Sequence, residues 1–171
     1  MTFIAYADGR FDLGGRWTRC AIGPTGVTPA AAKREGDGAS PAGAWAMRKV
    51  FYRPDRRPAP KTGLPVEPLQ PSDGWCDAPA DPAYNRRVTL PYPASAEHLW
   101  RDDGVYDLIV TLSHNDEPVV PGAGSAIFLH LARPDYAPTA GCVALAAADL
   151  EALLRLAKPG DVLVISGDVT R

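Results

Sequence analysis

Proline and glycine interrupt this chain throughout: 18 prolines and 16 glycines stand among 171 residues. Proline removes a helical N–H donor and crowds the preceding turn, and glycine loses the most backbone entropy on ordering, so long helices are excluded over most of the length. Between the breakers lie short runs rich in β-branched and aromatic residues, which read as strands. "TFIAYA" and "RWTRCAIG" are expected as the first two, with the Gly-rich "DLGG" turn between them. "AWAMRKVFYR" (Ala44–Arg53) reads as a further strand. The stretch 54–93 holds most of the prolines together with Trp75, Tyr84 and Tyr92, aromatics of a size that anchors a loop, and is expected as an ordered surface excursion.

The later pattern is clearer. "GVYDLIVTLSH" (Gly104–His114) and "SAIFLHL" (Ser125–Leu131) flank the turn-rich "NDEPVVPGAG" and predict an antiparallel hairpin with a long loop. One helix is expected, over "AAADLEALLRLA" (Ala146–Ala157), where Leu150, Leu153, Leu154 and Ala157 make one apolar face and Pro159-Gly160 ends it. "DVLVIS" then reads as the strand that closes the sheet. The expectation is one domain over residues 1–171, mainly β, with one substantial helix near the C-terminus.

Charged residues make up 22% of the chain and apolar ones 46%, the balance of a soluble globular protein. A net charge of -2 gives no bulk attraction to nucleic acid. No apolar run approaches the ~20 residues needed to span a membrane. "MTFIAYADGR" lacks the basic start and apolar stretch of a signal peptide, so the sequence as it stands predicts a cytoplasmic protein. Cys20, Cys76 and Cys142 are far apart, form no CxxC pair and stand at no zinc-finger spacing from a histidine, so neither a metal site nor a disulfide framework is expected.

In "PTAGCVAL", Cys142 follows Gly141 just before the expected helix, and His130 ends a strand twelve positions earlier. A strand end and a loop returning beside it can bring the two side chains together. A free thiol of pKa ~8.5 is mostly protonated at neutral pH, and an adjacent imidazole is expected to shift it toward thiolate. The same imidazole can protonate a leaving amine, with a backbone carbonyl near Leu131 or Ala132 fixing its tautomer. Gly141 and Thr139 clear space for substrate, and N–H groups around Cys142 can form an oxyanion hole. A buried structural thiol is the competing reading of the same residues. The hairpin register puts His114 at the far end of its strand from His130, and His98 has no visible partner. Tyr106, across the hairpin from His130, and Asn85, in the Pro-rich excursion, are expected to help form the substrate cleft.

"SAIFLHLARPDYAPTAGCVAL" resembles the active-site segment of the YkuD-type L,D-transpeptidases, which place a histidine at a strand end and a cysteine in a Thr/Ser-X-Gly-Cys motif. "EGDGASPAG" (Glu35–Gly43) is similar to that family's earlier Thr-Pro-X-Gly turn, through Ser40-Pro41-Ala42-Gly43. Ala140 stands where the family's Ser-His-Gly-Cys motif has its histidine, Ala144 stands where it has an arginine, and the histidine-to-cysteine spacing is short. The resemblance implies a β-sandwich-like fold with Cys142 as nucleophile, His130 as general base and acid, and Gly141 in the oxyanion environment. It implies acyl transfer on peptidoglycan stem peptides through a thioester, without metal or cofactor, and inactivation by carbapenem-type β-lactams. It also implies a periplasmic or cell-wall location, in contrast to the N-terminal reading. A monomer is expected. A carboxypeptidase or amidase on D-amino-acid-containing peptides, and a non-catalytic binding module, are the alternative functions.

Overall fold

The computed structural model describes residues 1–168. Its frame is a ring of strands. β1 (Thr2–Tyr6), β2 (Arg10–Asp12) and β3 (Trp17–Ala21) form an antiparallel meander. The "DLGG" turn joins β2 to β3 rather than the first expected strand to the second, because "RFD" is itself a strand. β4 (Val27–Pro29) precedes β5 (Ser40–Tyr52), which runs 13 residues and contains the expected "AWAMRKVFY" strand. Ser40–Ala42 pair in parallel with β4, so this segment begins a strand instead of forming the turn the resemblance implied.

β10 (Leu108–Leu112) and β11 (Phe128–Leu131) form the expected antiparallel hairpin, with Ile109 opposite His130 and Thr111 opposite Phe128. After β11 the chain crosses over to β12 (Val143–Leu145), which lies parallel to it. The sequence reading missed this three-residue strand and set Cys142 directly against the helix. The helix α1 (Ala147–Leu156) follows and buries Leu150, Leu153 and Leu154. β13 (Val162–Ser166) then inserts between β1, in parallel, and β5, antiparallel.

The order β10-β11-β12-β3-β2-β1-β13-β5 is sealed by β5, which also pairs with β10. Gly43–Ala46 of β5 face β13 and Met47–Tyr52 face β10, so one long strand belongs to both layers of the expected sandwich. The main core fills the ring and continues onto the helix: Phe3, Phe11, Leu108, Leu129, Val143, Leu145 and Leu153 are fully buried there.

The Pro-rich excursion is ordered, as expected. It supplies β6 (Val66–Pro68), which pairs in parallel with β5, then β7 (Asp73–Cys76) and β8 (Arg87–Thr89). β7 pairs with β8 and with β9 (Ala96–His98) in a separate three-stranded sheet. Buried Arg53 fastens the neighbouring segment: its guanidinium bonds Asp55 and the Arg101 carbonyl and lies 3.8 Å from the centroid of Trp100. A second apolar cluster lies between this small sheet and the ring, built from Phe51, Leu69, Leu99, Tyr106, Ile109 and Phe128. Among the described residues no helix is long and apolar enough to cross a membrane, and all three cysteines are free.

Candidate active site

Side chains alternate across a strand, and this alternation sorts the site from the core. Leu129, Val143 and Leu145 point into the ring. Phe128 and Cys142 point the other way, into the second cluster under the Pro-rich excursion. His130, two positions after Phe128, shares that outer face. The ladder sets His130 beside Ala144, so Cys142 stands one diagonal step away across the two strands. For neighbouring strands that step is roughly 8 Å between Cα atoms, within reach of a cysteine and a histidine.

The thiol is held by two backbone groups. It accepts the Phe128 N–H at 3.3 Å and donates to the Ala126 carbonyl at 3.1 Å. Burial pushes it up to about 12, the nearby Glu97 carboxylate adds to the shift, and the Phe128 N–H opposes it. His130 is also buried, and burial pushes it down to about 4. Its Nδ1 lies 2.9 Å from the Leu131 carbonyl, one of the two carbonyls expected for this role. A carbonyl can only accept, so Nδ1 carries the proton and Nε2 keeps its lone pair. The resting site therefore holds a neutral thiol and a neutral imidazole. This corrects the expectation of a thiol shifted toward thiolate: desolvation opposes both charges of an ion pair, and here it dominates. Among the described residues no hydrogen bond joins Sγ to the imidazole.

Gly141 and Thr139 shape the loop that presents Cys142. Gly141 has φ +126°, and a Cβ there would stand 2.7 Å from the Ala39 carbonyl oxygen, so only glycine fits without displacement. Its N–H donates to Thr139 Oγ1 at 3.1 Å, and the Thr139 hydroxyl donates to the Cys142 carbonyl at 2.7 Å. The expected oxyanion role for Gly141 is corrected accordingly: its N–H is engaged within the loop, and its contribution is close backbone approach.

Cys142, His130, Thr139 and Tyr106 open onto one cleft of about 450 Å³. The Tyr106 ring lies edge-on to both His130 and Phe128, and its hydroxyl donates to Glu97 Oε1 at 2.6 Å. His114 does not line this cleft; it packs edge-on against Trp45, with Nε2 3.0 Å from the Ala123 carbonyl, at the end of the hairpin the register assigned it. His98 lies on β9, away from the cleft.

A comparison with protein-family models finds the L,D-transpeptidase catalytic domain (YkuD) over residues 1–165. The chain belongs to the L,D-transpeptidase catalytic-domain family. No curated protein and no solved structure matches it.

In this L,D-transpeptidase domain, Ala144 lines the cleft where the expected motif carries an arginine, and Ala140 lines it where the motif carries a histidine. Charge in the cleft comes instead from residues the sequence reading did not single out: Lys33, Glu35, Asp77, Glu97, Arg101 and Arg133. Arg101 and Arg133 share the Asp103 carboxylate, and Lys33 is paired with Asp37 although almost fully buried. The one sequence hint was Glu97 four positions before Arg101, a spacing associated with helices; here the pair forms at 3.7 Å in a β region.

Asn85 is corrected as a cleft residue. It is 5% exposed and does not line the cleft. Its Oδ1 accepts the Trp75 Nε1–H at 2.9 Å and the Ala126 N–H at 3.0 Å. Its Nδ2 donates to the carbonyls of His114 and Asn115. All four hydrogen-bonding positions of the amide are engaged with the protein itself.

Proposed function

We propose that this domain is a cysteine acyl transferase, an L,D-transpeptidase that acts on peptidoglycan stem peptides through a thioester on Cys142. The observation that carries the reading is the placement of Cys142 and His130 on the same outer face of neighbouring strands, opening onto one cleft, with the imidazole tautomer held by the Leu131 carbonyl. Family membership supports the reaction class.

The sequence of events follows from the neutral resting site. Substrate entry displaces water and brings a peptide carbonyl to the thiol. The thiol proton leaves the Ala126 carbonyl and passes to His130 Nε2 as sulfur attacks the carbonyl that follows an L-centre. Charge separation is thus confined to the moment of attack, when developing imidazolium and oxyanion partly offset each other. The imidazolium then protonates the departing amine of the D-residue, leaving a thioester. A second stem amine attacks the thioester, His130 takes the amine proton, and the cross-linked peptide and the thiol are released. Water in place of the amine gives a carboxypeptidase. Peptidoglycan as substrate places the site of action in the periplasm or cell wall.

Intact-mass spectrometry with a carbapenem tests the nucleophile. The parent and His114→Ala proteins are expected to gain one adduct, and Cys142→Ala none. Product analysis of a tetrapeptide stem with and without an acceptor amine then separates transfer from hydrolysis. A parent protein that forms no adduct and turns over no stem peptide supports the non-catalytic alternative; an adduct that persists in Cys142→Ala moves the nucleophile elsewhere.

A further inference from the structure

We propose that Asn85 is a positioning residue for Cys142, acting through the carbonyl of Ala126. The proposal rests on reading Cys142 as the nucleophile, and its geometry is independent of the substrate.

Ala126 has φ +52°, a left-handed conformation that a residue with a Cβ adopts only when its surroundings impose it. What imposes it is visible on both sides of its peptide unit. The Ala126 N–H is held by Asn85 Oδ1, and the Ala126 carbonyl accepts the thiol proton of Cys142. Asn85 is itself left-handed, at φ +55°, and is anchored to the β10–β11 loop through the His114 and Asn115 carbonyls. Its second acceptor contact runs to Trp75, whose ring packs edge-on against Phe128 at 5.0 Å. Phe128 supplies the other backbone group on the thiol. One buried amide therefore braces the two residues that hold Sγ, Ala126 through its N–H and Phe128 through the Trp75 ring, without lining the cleft.

The consequence for reactivity has a definite sign. An acceptor on the thiol proton favours the neutral form. The charged and titratable groups facing the thiol from the elements around it are Glu97, Lys33, Tyr106 and His130. None of them is altered by changing Asn85. Releasing Ala126 is expected to free the thiol proton and make the sulfur easier to ionise, yet less well aligned for acyl transfer.

Asn85→Gly is the primary test, because glycine keeps the left-handed backbone while deleting the amide. Iodoacetamide labelling at pH 8 of Cys142 in the native fold is expected to rise about tenfold, the effect of one pKa unit on thiolate population. Cys20, buried in the main core, is expected to stay unlabelled, which separates local release from unfolding. For acyl transfer, kcat is expected to fall about 10- to 100-fold with KM unchanged within about twofold. If Asn85→Gly does not fold, Asn85→Ser shortens the side chain out of reach of the Ala126 N–H and is expected to give the same selective rise. The proposal is overturned by unchanged Cys142 labelling or by Cys20 labelling in step with it. Failure of the nucleophile reading is seen separately, as a carbapenem adduct retained in Cys142→Ala.

Discussion

The edge of the Tyr106 ring meets the His130 imidazole with centroids 5.2 Å apart and ring planes at 75°. The same ring contacts Phe128, and its hydroxyl is bonded to Glu97, so Tyr106 fixes one side of the histidine that the proposed chemistry needs to be mobile only in its protons. Tyr106→Phe keeps the packing and strands the Glu97 carboxyl without its donor; a loss of about 1–3 kcal/mol is expected in urea unfolding. Tyr106→Ala leaves a cavity and is expected to cost about 3–5 kcal/mol. Acyl transfer should suffer more from the alanine than from the phenylalanine variant. The reverse order would mean that the hydroxyl, not the ring, carries the effect.

His130→Ala is expected to lower the rate of acyl transfer by about 10²- to 10⁴-fold, the range for loss of a general acid–base group. His114→Ala is expected to leave kcat within about twofold. It would still lower the melting temperature, because it removes the packing on Trp45 and the Ala123 contact. Steady-state kinetics and thermal unfolding on the two variants check both halves.

Thr139→Val removes a hydroxyl that bonds the Gly141 N–H and the Cys142 carbonyl at once. It is expected to destabilise by about 1–3 kcal/mol and to depress acyl transfer, whereas Thr139→Ser retains both bonds and most of the activity. Gly141→Ala drives a Cβ onto the Ala39 carbonyl from a strained φ and is expected to do worse than either. A fully active, stable Gly141→Ala protein would show that the loop relaxes freely.

Stability is expected to form a plateau between about pH 6.5 and 8.5 and to fall on both sides. His130 is held near 4 against an unfolded value near 6.5, so the unfolded chain binds more protons in between and stability drops as the pH falls through that window. His114, lowered mainly by burial, adds with the same sign. Cys20 and Cys142 are raised to about 12, so the folded state keeps protons the unfolded state loses, and stability drops as the pH rises from about 9. Urea midpoints measured from pH 4 to 10 check the shape. Cys142→Ala should make the alkaline fall shallower, leaving the part due to Cys20, and leave the acid side as it is.

Local patterning carried far into this fold. The 3.6-residue spacing of Leu150, Leu153, Leu154 and Ala157 marked the helix face, and the hairpin register correctly separated His114 from His130. Elements of three residues did not show: "RFD" and "VAL" are too short for any periodicity to stand out from flanking turns. Cys142 and His130 were legible as candidates because residue type and strand-end position can be read along the chain. Their ionisation was not, because it depends on how much protein the Pro-rich excursion lays over them. Asn85 was read near the right place with the wrong partners; nothing in a linear sequence says whether an amide faces solvent or the underside of a loop.

The last strand in chain order has a consequence for how the molecule is made. β13 lies between β1 and β5, pairing Thr2 with Val162 and Val164 with Ala44. During synthesis the ring stays open until residue 166 has cleared the ribosome. The flanks of β1 and β5 are unpaired strand edges throughout that interval, the feature most prone to sticking to another chain. Contacts between positions so distant in sequence also slow the closure itself. Production of this protein is therefore expected to depend more on holding the nascent chain apart from its neighbours than on the stability of the finished ring.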